Sequence, residues 1–401
     1  MKICTKLLSI NKAKIRKDFP IVKKFNFLDH ANMAPSPVQV AKAVSRLMRQ
    51  KTTHTILVSD IWNAGVEKCR ENCAELLGVP REGVWFVNNT SEGMNIIANG
   101  TKWNSGENVV MPDIEFPSNV YPFLKKKGEV EMKYVNAKYT DNGVQVPVEE
   151  FEKTVNDQTK VVCLSAVDFG YGIRYNLKQV SEIAHKHGAI LVVDASQAVG
   201  AIRMKAKDDG VDVIALGGQK WTLAPSAGGI FYMSPEMLRD FEPPNVGWYS
   251  VEKLSDQMLG NYTEHYELAK DARRFALGHL NYPGILGLEA STAYILNLGM
   301  DAIEREILRL TRVLMDGLGE RNFSLLSPSD DSMRAGIVSF AIPNPKEVIE
   351  YLKGFGIIVS GYFQTRGRGL RVSPDFYNTD GEIASLLRKI DLYQKHEKKS
   401  H

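Results

Sequence analysis

Residues 189–200 read Ala189-Ile-Leu-Val-Val-Asp194-Ala-Ser-Gln197-Ala-Val-Gly200. A short unbroken apolar run ending in a carboxylate is the pattern of a parallel strand buried on both faces, with an acid at its C-terminal end. In open α/β sheets that end is where ligands bind. Asp194 is therefore a candidate binding acid, and with equal weight a cap for the turn that follows it.

Downstream, Val211-Asp-Val-Ile-Ala-Leu216-Gly217-Gly218-Gln219-Lys220-Trp221 is a second apolar run that delivers Lys220 through a two-glycine turn. Glycines let a backbone approach a ligand closely, and a lysine beside an aromatic residue at the edge of a buried strand loses hydration and becomes a better nucleophile. A solvated loop lysine is the plainer reading of the segment alone. Upstream, Asn88-Asn-Thr90-Ser91-Glu92-Gly93 joins a strand-like run to a helical one. Thr90, Ser91 and the first-turn N–H groups thus form an anion site. An ordinary Thr90 N-cap is the alternative, and the glycine spacing of phosphate-binding fingerprints is absent.

Short runs apolar on both faces recur at Val84–Val87, Asn108–Met111, Val161–Ser165, Ala189–Val193, Val211–Leu216 and Gly229–Met233. Helical stretches lie between them at Gly93–Gly100, Ser118–Lys127 and Lys178–His187, so the middle of the chain is expected to be a layered α/β domain with parallel strands. After Pro243 and Pro244 the pattern changes to polar loops. Two long helices follow at Tyr282–Asn297 and Met300–Leu318, then mixed elements at Gly336–Ala341, Pro345–Gly354, Ile357–Ser360 and Gly369–Ser373. A final amphipathic helix runs from Asp380 to His396, ahead of a polar tail, Lys395–His401, expected to fray. The expected organisation is an N-terminal segment, 1–20, a large α/β domain, 21–265, and a smaller C-terminal α+β domain, 266–401.

Composition narrows the function classes. The chain has 401 residues, 44% hydrophobic and 24% charged, which is a globular composition with a real core. A net charge of +3 gives no basic face, so nucleic acid is not implied. Cys4, Cys69, Cys73 and Cys163 match neither a disulfide framework nor a zinc site, which fits a reducing cytoplasm, and no metal site is expected. Cys69 and Cys73 share a helical face as core packing, and His185 and His187 suit a helix C-terminus. Met1–Arg16 reads as neither a signal peptide nor a membrane span.

In combination, these segments resemble the class V aminotransferase family of pyridoxal-phosphate enzymes. The resemblance runs from Phe27-Leu-Asp-His-Ala31 to Tyr377-Asn-Thr379. It rests on the helix start at Thr90, the segment Asp113-Ile-Glu-Phe116-Pro-Ser, the acid in Asp194-Ala-Ser-Gln197, and Lys220, 26 positions beyond that acid. Within the family the chain is most similar to the isopenicillin N epimerase, cysteine desulfurase and selenocysteine lyase branch. The resemblance implies the pyridoxal-phosphate transferase fold of type I, with a large α/β domain on a mostly parallel sheet, a smaller C-terminal α+β domain, and a homodimer.

It also implies roles. Lys220 carries the cofactor as a Schiff base, and Asp194 pairs with the pyridine nitrogen and keeps it protonated, so that the ring accepts electrons from a breaking Cα bond. Gln197 bonds the ring hydroxyl, Phe116 stacks on the ring, and Thr90, Ser91 and Gln219 take the phosphate. The family's Ser-x-His-Lys is here Gly217, Gly218, Gln219 and Lys220, so its serine hydroxyl is missing. A threonine that reaches the partner subunit's phosphate is replaced in Gly278-His279, where His279 is the stand-in donor. Arg371 corresponds to the clamp for a substrate α-carboxylate, with Arg366 and Arg368 as the next candidates. No cysteine follows Cys163, so a persulfide carried on the enzyme is not expected. The implied activity is amino transfer or C–S cleavage on a small α-amino acid. An epimerase or racemase is the alternative, and a non-catalytic scaffold that keeps the fold is the rival from another class.

Overall fold

Ile190–Asp194 is the middle strand of a seven-stranded sheet. The spatial order is Val84–Val87, Gly229–Met233, Val213–Leu216, Ile190–Asp194, Thr159–Ser165, Asn108–Pro112 and Glu131–Val135. The protein is described here by a computed structural model covering residues 10–252, 266–364 and 367–400. Asn108–Pro112, Val213–Leu216 and Gly229–Met233 are buried along their whole length, and Ile190–Asp194 and Thr159–Ser165 at all but one residue each, because helices cover both faces of the sheet.

One strand departs from the expected parallel set. Gly229–Met233 runs antiparallel to both neighbours, with Ile230 opposite Leu216 and Phe86. Residues 217–228, which connect it to Val213–Leu216, form turns and no helix. A parallel neighbour needs a crossover over the sheet face, and a tight return gives the opposite direction. Burial on both faces does not encode direction, so the apolar pattern of the run was silent on this point.

The helix Thr90–Gly100 lies on the sheet with its start beside the C-terminal ends of the central strands. A Cβ at Gly93 would come within 2.5 Å of Ala215 Cβ, so glycine sets how closely that helix approaches. Tyr282–Leu298 packs on the helices Val38–Thr53 and Ser59–Leu77. Cys69 and Cys73 are fully buried in this layer, Sγ to Sγ 3.9 Å.

The C-terminal region builds a separate three-stranded antiparallel sheet in the order Val338–Ala341, Gly367–Val372, Ser360–Gln364. It is backed by Met300–Gly319, Pro345–Gly354 and Asp380–Ser400. The last helix runs to Ser400, beyond the expected end at His396. The N-terminal strand Asn26–Phe27 pairs in parallel with Ile357–Ile358, and Asp29 bridges to Ser373. Residues near the chain start are thereby carried to the C-terminal sheet, and Asp29 and His30 to the cleft. Among the described residues no helix is long and apolar enough to cross a membrane.

Candidate active site

Asp194 ends its strand with its side chain buried, and Ser196 N–H donates to its Oδ1 at 2.8 Å. Burial pushes the Asp194 carboxyl up from its ordinary value, and the charge of Lys220 works against that rise. Burial pushes the Lys220 ammonium down, Asp194 opposes this, and the Arg371 charge adds to it. Lys220 thus stands between an acid that favours its charge and a guanidinium that opposes it. The lysine turn is fastened at both sides: Leu223 N–H donates to the Lys220 carbonyl at 2.9 Å, and Ala34 N–H to the Gln219 carbonyl at 3.0 Å. The Lys220 amine sits 5.3 Å from the Phe116 ring centre, and Phe169 meets that ring edge-on at 5.0 Å.

The helix start is capped by Asn89, whose side chain accepts from Glu92 N–H at 3.0 Å, and Thr90 follows as the first helical residue. Its hydroxyl is 2.9 Å from the Ser196 hydroxyl, and Ser91 Oγ donates to Ser118 Oγ at 2.8 Å. Gln197 has both ends of its amide engaged: Nε2 donates to the Ala31 carbonyl and Oε1 accepts from Trp221 Nε1, at 2.8 and 2.7 Å. One Nε2 proton is left over for a ligand. His279 is exposed and packs against Trp248, ring centres 5.2 Å apart. Arg366 and the side chain of Arg368 lie outside the described residues.

Arg371 is held from three directions. Its Nε donates to Ser360 Oγ at 3.0 Å, its Nη1 to the Phe169 carbonyl at 2.8 Å, and its Nη2 lies 3.6 Å from Asp29 Oδ1. Ser360 Oγ in turn donates to Asp29 at 2.6 Å. The Phe169 carbonyl is aimed by Asp168, whose buried carboxylate accepts from Gly170 and Tyr171 N–H and folds the turn; burial lifts its pKa to about 6. None of Asp29, Asp168, Phe169 or Ser360 was singled out from the sequence. Asp29 lies inside the quoted Phe27–Ala31 stretch, but nothing local marks it as the partner of a residue in another sheet.

A second carboxylate was also missed. Glu115 is buried beside Asp194 and accepts from Ser165 N–H and Oγ, both at 2.7 Å, and from Asn119 Nδ2 at 2.6 Å. Burial lifts its pKa to about 7 despite these donors. Ser165 is the direct neighbour of Asp194 across the parallel ladder, so this cluster lines the floor on which Asp194 stands. Behind it, the fully buried His30 bonds Ser373 O through Nδ1 and Tyr377 OH through Nε2, at 2.8 and 2.5 Å. Burial lowers the His30 pKa to about 4, so the ring is neutral and its 3.9 Å approach to Asp375 is not an ion pair.

The residues present fit a phosphorylated aromatic aldehyde: a desolvated amine, an aromatic face beside it, an acid at the far end, and hydroxyls at a helix start. Fold and site together define a pyridoxal-phosphate enzyme of fold type I, a transferase or lyase. The profile of the family Aminotransferase class-V matches residues 26–386, and the chain belongs to that family. A probable cysteine desulfurase of Methanothermobacter thermautotrophicus is 29% identical, over 94% of this chain and 96% of that one. Another from Pyrococcus abyssi is 27% identical over the same shares. The apo cysteine desulfurase of Thermococcus onnurineus NA1 superposes with a TM-score of 0.86 at 26% identity, covering 97% of this chain and 99% of that one. A cystine C–S lyase, solved in complex with cysteine persulfide, shares the fold at a TM-score of 0.84, 19% identity and 92% and 98% coverage. The cofactor is pyridoxal phosphate. Among the described residues no cluster of His, Cys, Asp or Glu is suited to a metal ion.

Proposed function

We propose that this enzyme acts on a small α-amino acid, by amino transfer or by C–S cleavage, without passing sulfur through an enzyme cysteine. The observation that carries the reading is the convergence of Lys220, Asp194 and Arg371: the Lys220 amine lies 5.3 Å from the Phe116 ring, Phe169 packs on that ring at 5.0 Å and gives its carbonyl to Arg371 at 2.8 Å, and Ser196 joins Asp194 to the lysine turn. Bound pyridoxal phosphate supplies an electron sink for a breaking Cα bond. Lys220 holds it covalently and, once released, its amine removes or returns the Cα proton; burial favours the neutral amine both tasks need. Asp194 holds the ring nitrogen protonated. Phe116 covers the ring, Thr90, Ser91 and Gln219 hold the phosphate, and Gln197 offers its remaining proton to the ring hydroxyl. Arg371 receives the α-carboxylate, which sets the Cα bonds relative to the ring.

The reading without a persulfide cysteine is supported by burial among the described residues, where Cys69, Cys73 and Cys163 are all buried, and by the lack of any cysteine beyond Cys163; Cys4 lies outside the described residues. A homodimer is supported by large apolar side chains left on the surface, Ile56, Leu57 and Ile61 near the start of Ser59–Leu77 and Trp248 and Leu277 beside His279. Borohydride reduction of the yellow protein followed by peptide mapping tests the assignment. Label on Lys220, and its loss in Lys220→Ala, is the expected result; label on another lysine refutes it. Incubation with cysteine and with a keto-acid acceptor then separates the two reactions, since cleavage releases sulfide and amino transfer leaves a new amino acid.

A further inference from the structure

The family pattern places a serine hydroxyl where this chain has Gly217, and the structure brings another hydroxyl to that place. Ser196 stands in the turn after Asp194, with only 6% of its surface exposed. Its Oγ lies 2.9 Å from Thr90 Oγ1, at the start of the helix Thr90–Gly100, and accepts from Gly217 N–H at 3.4 Å. Its own N–H donates to Asp194 Oδ1 at 2.8 Å. One residue thus ties together the helix start, the lysine turn and the acid at the strand end.

Proton counting shows what the pair can do. Thr90 and Ser196 carry two hydroxyl protons between them, and their mutual bond uses one. With Thr90 as the donor of that bond, the Ser196 oxygen accepts from both Thr90 and Gly217, and its own proton is free to point at an anion held by the first-turn N–H groups of the helix. We infer that Ser196 is a phosphate-binding residue of this enzyme and that its hydroxyl replaces the one missing at Gly217. The inference rests on the pyridoxal-phosphate reading of the site and adds to it a ligand that comes from the strand bearing Asp194 instead of from the lysine turn.

The exchange is reversible in principle. Gly217 has an ordinary backbone conformation, and the atoms nearest a Cβ there belong to the amide end of the Gln219 side chain, with Oε1 at 2.6 Å. A serine at 217 therefore needs one flexible side chain to move.

The test uses the full chain stripped of cofactor and reconstituted with pyridoxal phosphate or with pyridoxal, which lacks the phosphate, each followed by absorbance titration. Ser196→Ala should weaken pyridoxal phosphate about tenfold, which corresponds to ~1.4 kcal/mol, and leave pyridoxal within twofold. Ser196→Thr keeps the hydroxyl and should stay near the parent. Gly217→Ser added to Ser196→Ala should recover most of the lost affinity. Melting of the stripped proteins checks that each variant folds. Equal pyridoxal-phosphate affinity of parent and Ser196→Ala overturns the inference, as does an equal loss for pyridoxal. A parent that binds neither compound overturns instead the reading of the whole site.

Discussion

The Arg371–Asp29 pair makes two predictions of opposite sign. Arg371 spreads its guanidinium over Ser360 Oγ, the Phe169 carbonyl and Asp29, and only about a tenth of its side chain is exposed. A lysine keeps the charge but cannot serve three acceptors in a plane. Losing the fork should cost about 2–4 kcal/mol in kcat/KM for α-amino acids, roughly 30- to 1000-fold, because the carboxylate is no longer held in one orientation. Asp29 acts in the other direction. At 3.6 Å its charge draws on the guanidinium with ~4–5 kcal/mol gross at an effective dielectric of ~20, most of it offset by lost hydration. An incoming carboxylate competes with that anion. Asp29→Asn should therefore tighten substrate binding, lowering KM about 5- to 30-fold, equivalent to ~1–2 kcal/mol. Steady-state kinetics on an α-amino acid and on the amine lacking its carboxylate separates the terms, since the amine should respond to neither substitution. An Arg371→Lys enzyme with parental kcat/KM, or an Asp29→Asn enzyme with raised KM, refutes the clamp.

Asp194→Asn should retain covalently bound cofactor and slow every reaction through a Cα carbanion by several kcal/mol in the barrier, because an amide does not keep the ring nitrogen protonated; single-turnover rates equal to the parent's contradict that role. Asp375 is fully buried, its Oδ2 has no hydrogen-bond partner among the described residues, and burial lifts its pKa to about 8. Because the folded pKa lies above the ordinary 3.8, its stabilising share is complete below about pH 4 and is lost as pH rises through 8, at ~1.4 kcal/mol per pH unit. Asp375→Asn should flatten that part of the profile, so urea unfolding of parent and variant at pH 5 and pH 9 that gives the same difference would contradict it. Sedimentation at micromolar concentration should find a dimer of the 44.8 kDa chain, with an interface above ~2,000 Å²; a stable, active monomer refutes both the dimer and a phosphate site shared through His279.

What could be read in advance follows the range of the physical signal. Asp194, Lys220 and the Thr90 helix start were legible because each depends on a few neighbours in sequence: an apolar run, a glycine turn, a polar residue before a helical stretch. The residues that set Arg371 in place were not. Ser360 bonds Asp29 across 331 positions, and Arg371 reaches the Phe169 carbonyl across 202, so only the completed fold shows that these groups share a cleft. The reversed strand Gly229–Met233 and the extension of the last helix to Ser400 escaped for a different reason: strand direction has no hydropathy signature, and a polar helix has no apolar stripe to announce it.

Ser196 shows how the two ranges combine. It lies within the very stretch that identified the sheet, yet as a letter between Asp194 and Gln197 it carried no information about phosphate. Its meaning comes from Gly217, where the expected hydroxyl is missing, and from Thr90, 106 positions away, whose oxygen it meets. A hydroxyl absent from one turn and present on the adjacent one conserves the chemistry of the cradle while moving its source. Reading a site residue by residue registers Gly217 as a loss; the distances between strand end, helix start and lysine turn show a hydroxyl already beside it.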